Sequence, residues 1–123
     1  MVDATITPEE LAKWLDEKKE FTLLDTRNDY EVAYGTFEQA VNLNIQHFVE
    51  IKDKINEIKR DKPIVMFCTG GIRCEKAALY FLEQGYESVY QLKGGILGYF
   101  AKMGNKHYNG SCFVFDERGT ITA

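Results

Sequence analysis

Histidine, proline and tryptophan are scarce in this chain: two, two and one among 123 residues. With so few histidines, a histidine-rich metal site is not expected, and His47 has no cysteine near it in sequence to form a Cys–His pair. The three cysteines are odd in number and lack paired ligand spacing. They therefore read neither as a disulfide framework nor as a zinc site, and no metal is expected. Flavin, haem and metal motifs are missing too, so no cofactor is evident. No apolar run is long enough to span a bilayer, and no signal peptide, repeat or low-complexity segment is visible. Unpaired cysteines fit a reducing, cytoplasmic setting. Positive charge is not in excess: 15 Lys and Arg face 19 Asp and Glu, a net charge of -4. The overall basic footprint of an autonomous nucleic-acid binder is thus lacking.

What is present is ordinary globular material, 45% hydrophobic and 28% charged, in a length that suits one core. Short apolar runs alternate with helical patterns. Residues 4–6 read as a short strand. Thr7-Pro8-Glu9-Glu10 opens a helix with a capping box, running to about Lys19, with Leu11, Trp14 and Leu15 on one face. Phe21 to Leu24 reads as a buried strand ending at Asp25. Asn28 caps a helix from Asp29 to Tyr34, stopped by Gly35. Ala40 to Asn44 reads as a strand, and Gln46 to Lys59 as a helix with Phe48, Ile51, Ile55 and Ile58 at helical spacing. Its charged face mixes both signs and reads as solvated.

The most informative stretch runs from Ile64 to Ala78. Pro63 precedes a buried strand, Ile64-Val65-Met66-Phe67. Cys68-Thr69-Gly70-Gly71-Ile72-Arg73 is then a tight loop, and Cys74 opens a helix ending at Gly85. Loop amides, the helix N-terminus and the Arg73 charge together describe an anion cradle around the Cys68 sulfur. Such surroundings depress a thiol pKa and make Cys68 the candidate nucleophile. Taken alone, Cys68 reads more readily as a small buried hydrophobe at a strand end; the glycine loop, Arg73 and the helix start reverse that reading. Ser88 to Leu92 is a further parallel strand. Lys93-Gly94-Gly95 follows it and should lie beside the Cys68 loop, where Lys93 either adds positive potential or is merely solvated. Ile96 to Met103 is a last helix, closed by Gly104. His107-Tyr108-Asn109-Gly110 then reads as a turn, Cys112 to Phe115 as a strand, and Asp116 to Gly119 as a hairpin turn. Cys112 reads as structural.

Cys-x-x-Gly-x-Arg at a strand-to-helix turn, followed by Leu92-Lys93-Gly94-Gly95-Ile96, resembles the rhodanese (sulfurtransferase-like) domain. Leu23-Leu24-Asp25-Thr26-Arg27 resembles its Asp-x-Arg segment, and Glu31 the acidic residue that follows. Gly35-Thr36-Phe37 departs from the usual Gly-His-Ile. Cys-Thr-Gly-Gly-Ile-Arg-Cys-Glu-Lys-Ala at 68–77 and Cys-Phe-Val-Phe-Asp at 112–116 are similar to the rhodanese module of the bacterial tRNA uridine hydroxylase family. The resemblance implies an α/β fold with a five-stranded, mainly parallel sheet and helices on both faces. It implies a rhodanese-like domain over 1–104 and a C-terminal extension over 105–123, together an excised central domain. It further implies oxygen-dependent hydroxylation of the wobble uridine to 5-hydroxyuridine, with Cys68 essential and Arg73 its electrostatic partner. tRNA would then be bound through the full-length protein, with weak or no binding by this stretch alone.

Other chemistries share parts of this pattern. A sulfurtransferase would carry a persulfide on Cys68, held by the amides of Thr69, Gly70, Gly71, Ile72 and Arg73. A cysteine phosphatase resembles Cys-x5-Arg, one residue longer than the present loop. A binding module needs no reactive thiol. Cys74 is either a resolving thiol for Cys68 or a helix cap, and Asp25 and Arg27 either touch a ligand or tie loops together.

Overall fold

The computed structural model describes residues 4–59, 61–70, 72–114 and 120–121, with the side chains of Phe48, Ile72, Arg73 and Phe113 outside that description. Gly71 and the Asp116–Gly119 turn also lie outside it. In chain order the elements are β1 (Thr5–Ile6), α1 (Pro8–Asp16), β2 (Thr22–Asp25), α2 (Asp29–Val32), β3 (Gly35–Phe37), β4 (Val41–Asn42), α3 (Ile51–Lys54), β5 (Ile64–Phe67), α4 (Ile72–Glu83), β6 (Val89–Leu92), α5 (Gly95–Met103), β7 (Tyr108–Gly110), β8 (Cys112–Phe113) and β9 (Thr120–Ile121).

Five strands form a parallel sheet in the order β1-β6-β5-β2-β4. The two central strands, β5 and β2, are buried along their whole length. Alternate side chains of β5 therefore serve two cores. Ile64 and Met66 pack with Ile51 and Ile55 on one face and with Ala77, Ala78 and Phe81 of α4. Val65 and Phe67 pack on the other with Leu11 and Leu15 of α1 and with Ile96 and Tyr99 of α5. Helices thus cover both faces, as expected for this α/β arrangement.

Several boundaries differ from the sequence reading. Helix α1 ends at Asp16 rather than Lys19, because Lys18 turns left-handed at φ 55° and the Lys19 amide returns to the Trp14 carbonyl. Its capping box is present, with Thr7 and Glu10 exchanging hydrogen bonds. Helix α2 stops at Val32, and Gly35 opens β3 instead of ending a helix. The stretch 46–59 is not one helix: 3₁₀ turns at Phe48–Glu50 and Ile55–Glu57 flank a single α-turn. Its β-branched residues hold a helix poorly, while Ile51, Ile55 and Ile58 still reach the core. Helix α4 begins at Ile72, two residues before the expected start, so Cys74 lies within the helix.

The largest difference is around 108–110, where a strand replaces the expected turn. Strand β7 pairs antiparallel with β3, outside the main sheet. Phe37 anchors this ribbon. Its ring meets Phe67, Tyr99 and Tyr108 edge-on, with centroids 5.0, 4.8 and 5.1 Å away. Such contacts stabilise by about 0.5–1.5 kcal/mol each beyond their buried area. Strand β8 pairs with β9, and Tyr108, Cys112 and Val114 are all buried.

Candidate active site

Cys68 follows the last residue of β5, at the carboxyl end of the parallel sheet, where open α/β folds place ligands. It is 1% exposed. Three consecutive carbonyls around it are tied down. The Phe67 carbonyl accepts from Thr26 twice, from its amide at 3.1 Å and its hydroxyl at 2.9 Å. The Cys68 and Thr69 carbonyls accept from the Ile96 and Leu97 amides of α5, at 2.9 and 3.1 Å. Across a trans peptide the next N–H points the opposite way. The amides of Thr69 and Gly70 are therefore turned away from α5, as an anion-binding loop requires.

Gly95 makes this clamp possible. A Cβ there would lie 2.5 Å from the Thr69 carbonyl oxygen and 2.6 Å from that of Cys68. Its φ of 63° is also a conformation that side chains resist. The glycine pair after Lys93 thus lets the start of α5 dock directly on the loop. Lys93 itself is exposed, and its backbone amide bonds the Ile6 carbonyl of β1.

Asp25 and Arg27 form a fully buried ion pair. The Arg27 Nε and one terminal nitrogen bond the two carboxylate oxygens at 2.9 and 2.7 Å. The same nitrogen donates to the Gly35 carbonyl at 2.7 Å, and Thr36 donates its hydroxyl to Asp25 at 2.8 Å. The pair thereby ties the end of β2 to β3. Burial opposes the guanidinium charge, yet the paired carboxylate outweighs it and holds Arg27 above its ordinary pKa. Glu31 is also fully buried and accepts from the Asn28 amide at 3.0 Å.

All three cysteines are buried and none is in a disulfide. The Cys74 sulfur is 3.8 Å from the Thr26 hydroxyl oxygen. Burial first, then the neighbouring Cys68, pushes the Cys74 thiol well above its ordinary pKa. The Cys112 sulfur is 3.9 Å from the Thr69 hydroxyl, and burial raises its pKa as well. The structure thus gathers Cys68, Thr69, Cys74 and Cys112 around one loop, with Asp25 and Arg27 beneath. Gly71 and the Arg73 side chain are outside the described residues. Among the described residues no cluster of His, Cys, Asp and Glu could hold a metal ion.

A family model for the rhodanese-like domain matches residues 7–102. The chain belongs to that family. Solved rhodanese structures agree with the fold. A rhodanese-related protein from Thermoplasma volcanium superposes with a TM-score of 0.67 at 27% identity, covering 81% of this chain and 93% of its own. A rhodanese-like domain protein from Staphylococcus aureus gives 0.67 at 29%, covering 78% and 90%. Among curated proteins, the tRNA uridine(34) hydroxylase of Cupriavidus taiwanensis is 52% identical over 95% of this chain. That of Bordetella petrii is 51% identical over 92%. The chain spans less than half the length of these relatives, 44% and 48%.

Two contributions to this rhodanese-like site escape a reading of the sequence. Thr26 looks like a spacer between Asp25 and Arg27, yet it fixes the carbonyl before Cys68. Cys112 lies beyond the matched residues 7–102 and still reaches the loop. For Thr26 the signal was residue type alone, a hydroxyl at a strand end; for Cys112 it was the Cys-Phe-Val-Phe-Asp resemblance at 112–116, which says nothing of contact with the loop.

Proposed function

We propose that this chain is the rhodanese-like domain of a tRNA-modifying enzyme that hydroxylates the wobble uridine, with Cys68 as its reactive group. The observation that carries this reading is the identity of about half of all positions, across nearly the whole chain, with proteins named tRNA uridine(34) hydroxylase. The site is consistent with it. A cysteine stands at a strand end, and the carbonyls of Phe67, Cys68 and Thr69 around it are bonded to Thr26, Ile96 and Leu97. Arg73, in the first turn of α4, supplies the matching positive charge in this account.

The substrate is tRNA, bound through the full-length protein. This chain alone, at net charge -4, lacks the phosphate-binding charge to hold it tightly. The setting is the cytoplasm, where tRNA is modified. Among the described residues no helix is long and apolar enough to cross a membrane. The test uses cells lacking the full-length protein, restored with wild type or Cys68→Ser, and mass spectrometry of their digested tRNA. 5-Hydroxyuridine and its derivatives return only with Cys68 intact; their return with Cys68→Ser would refute the reading.

Sulfur transfer is the second reading. It is favoured by likeness to a domain within an NAD-dependent persulfide reductase from A. fulgidus, at 29% identity and a TM-score of 0.59. In this chemistry the Cys68 thiolate attacks the outer sulfur of thiosulfate, forming a persulfide and releasing sulfite. Cyanide then takes the outer sulfur as thiocyanate and restores the thiolate. Thiocyanate formed by the wild-type chain and not by Cys68→Ala would support it.

A further inference from the structure

Thr26 is a fully buried hydroxyl between the two members of the Asp25–Arg27 pair, and its side chain turns the other way. Successive residues of an extended chain point to opposite faces. Arg27 lies on the face of the Phe67 ring, 5.8 Å from its centroid. Thr26 meets Cys74 on the opposite face, where Leu24, Met66 and Cys74 belong to one core cluster. Its amide donates to the Phe67 carbonyl at 3.1 Å and extends the β2–β5 pairing by one rung. Any residue but proline would supply that bond. The hydroxyl is what threonine adds. It donates to the same carbonyl at 2.9 Å, filling the second lone pair of an oxygen that already accepts one bond. The hydroxyl oxygen also lies 3.8 Å from the Cys74 sulfur. Phe67 immediately precedes the Cys68 loop, and Cys74 lies in the first turn of the helix that follows it. One side chain thus touches both ends of the loop.

The Phe67 carbonyl shares a rigid peptide plane with the Cys68 nitrogen and Cα. An oxygen held twice fixes that plane, and with it the direction in which Cys68 leaves the strand. The next two carbonyls, of Cys68 and Thr69, are held by α5. Thr26 therefore does from the β2 side of β5 what α5 does from the β6 side. We propose that Thr26 is a positioning residue for Cys68: its hydroxyl locks the peptide before the cysteine and braces the start of α4 across the loop. This rests on the reading of Cys68 as the reactive group.

Two replacements separate the hydroxyl from the fold. Thr26→Val keeps the shape and the amide bond and removes the hydroxyl. Thr26→Ser keeps the hydroxyl and loses a buried methyl, so both variants lower the melting temperature. Amide hydrogen exchange, read by NMR on this chain, needs neither tRNA nor catalysis. Exchange in the central strands, at Leu23 and Val65, reports global stability, and exchange in the loop reports local opening. Both variants speed the first. Thr26→Val alone also speeds exchange at Cys68, Thr69 and Gly70, by about threefold to tenfold, the equivalent of one neutral hydrogen bond. In cells whose only copy of the full-length protein carries Thr26→Val, 5-hydroxyuridine accumulates in tRNA more slowly by a similar factor than with Thr26→Ser at equal protein level. A merely structural role would slow both variants alike, in step with their melting temperatures. The proposal is overturned if valine leaves loop exchange at the wild-type rate, if serine speeds it as far as valine, or if 5-hydroxyuridine accumulates equally fast with both. If the Cys68→Ser protein still makes 5-hydroxyuridine, the hydroxylase reading fails by itself, and the exchange rates alone decide on Thr26.

Discussion

The Cys112 sulfur touches the Thr69 hydroxyl across 3.9 Å, so β8 lies directly against the loop that carries Cys68. Tyr108 and Cys112, beyond residue 104, thereby belong to the core cluster that packs against β5 and α5. Tyr108, Cys112 and Val114 are each at most 4% exposed. Burying a large apolar side chain contributes about 1.5–3 kcal/mol, and whole domains are stable by only about 5–15 kcal/mol. A chain ending at residue 104 should therefore unfold at a much lower denaturant concentration than the full chain, as followed by circular dichroism. An unchanged midpoint would show that the residues beyond 104 add little to the stability of the fold.

The Asp25–Arg27 pair yields a second prediction. Both groups are fully buried, so removing one leaves the other charge uncompensated. Asp25→Asn and Arg27→Ala should each cost about 3–5 kcal/mol in chemical denaturation. Thr36→Val, which removes one neutral donor to Asp25, should cost about 1–2 kcal/mol.

Glycines 95 and 104 offer a matched comparison. Both have a φ of 63°, but only Gly95 faces backbone where a Cβ would stand. Gly104→Ala should cost about 1–3 kcal/mol, the conformational term alone, because φ 63° with ψ -140° is a backbone that side chains resist. Gly95→Ala must also push α5 away from the carbonyls of Cys68 and Thr69, raising the cost by about 1–3 kcal/mol more. It should also slow the reaction of Cys68 with thiosulfate, which Gly104→Ala leaves unchanged.

Alkaline pH should destabilise the protein. Burial raises the pKa of both Cys74 and Cys112 above the ordinary thiol value of 9.0. Above about pH 8.5 the unfolded chain loses these protons while the folded chain keeps them. The stability is complete below that pH and is lost as pH rises towards the folded values. Each linked proton gives a slope of about 1.4 kcal/mol per pH unit. Burial also pushes Tyr99 up to about 12, extending the loss above pH 10. Melting curves between pH 8 and 11 should show the fall, and Cys74→Ala combined with Cys112→Ala should flatten its first part.

The parallel sheet was legible because β2, β5 and β6 are short apolar runs, each ending at a polar residue or a glycine loop. The Cys68 loop was legible for the same reason, as glycines between a strand and a strong helix pattern have few other readings. The β3–β7 ribbon was not. A Cβ on Gly35 would lie 2.4 Å from the Ser111 carbonyl oxygen, and one on Gly110 2.4 Å from that of Tyr34. Those glycines serve a close approach between segments about 75 residues apart. Neither segment shows it alone, and each reads locally as a helix stop or a turn. The 46–59 stretch failed differently. Its isoleucines recur at helical spacing, yet 3₁₀ turns satisfy the same burial.

The central claim is that Cys68 performs the chemistry while the rest of the full-length protein holds the tRNA. The most direct measurement takes the purified full-length protein as wild type and as Cys68→Ser. It records tRNA affinity for each, and the 5-hydroxyuridine in tRNA from cells carrying each as their only copy. The account predicts equal affinity and loss of the modified base with Cys68→Ser. Equal affinity with the modified base retained would contradict it and move the reaction away from this loop.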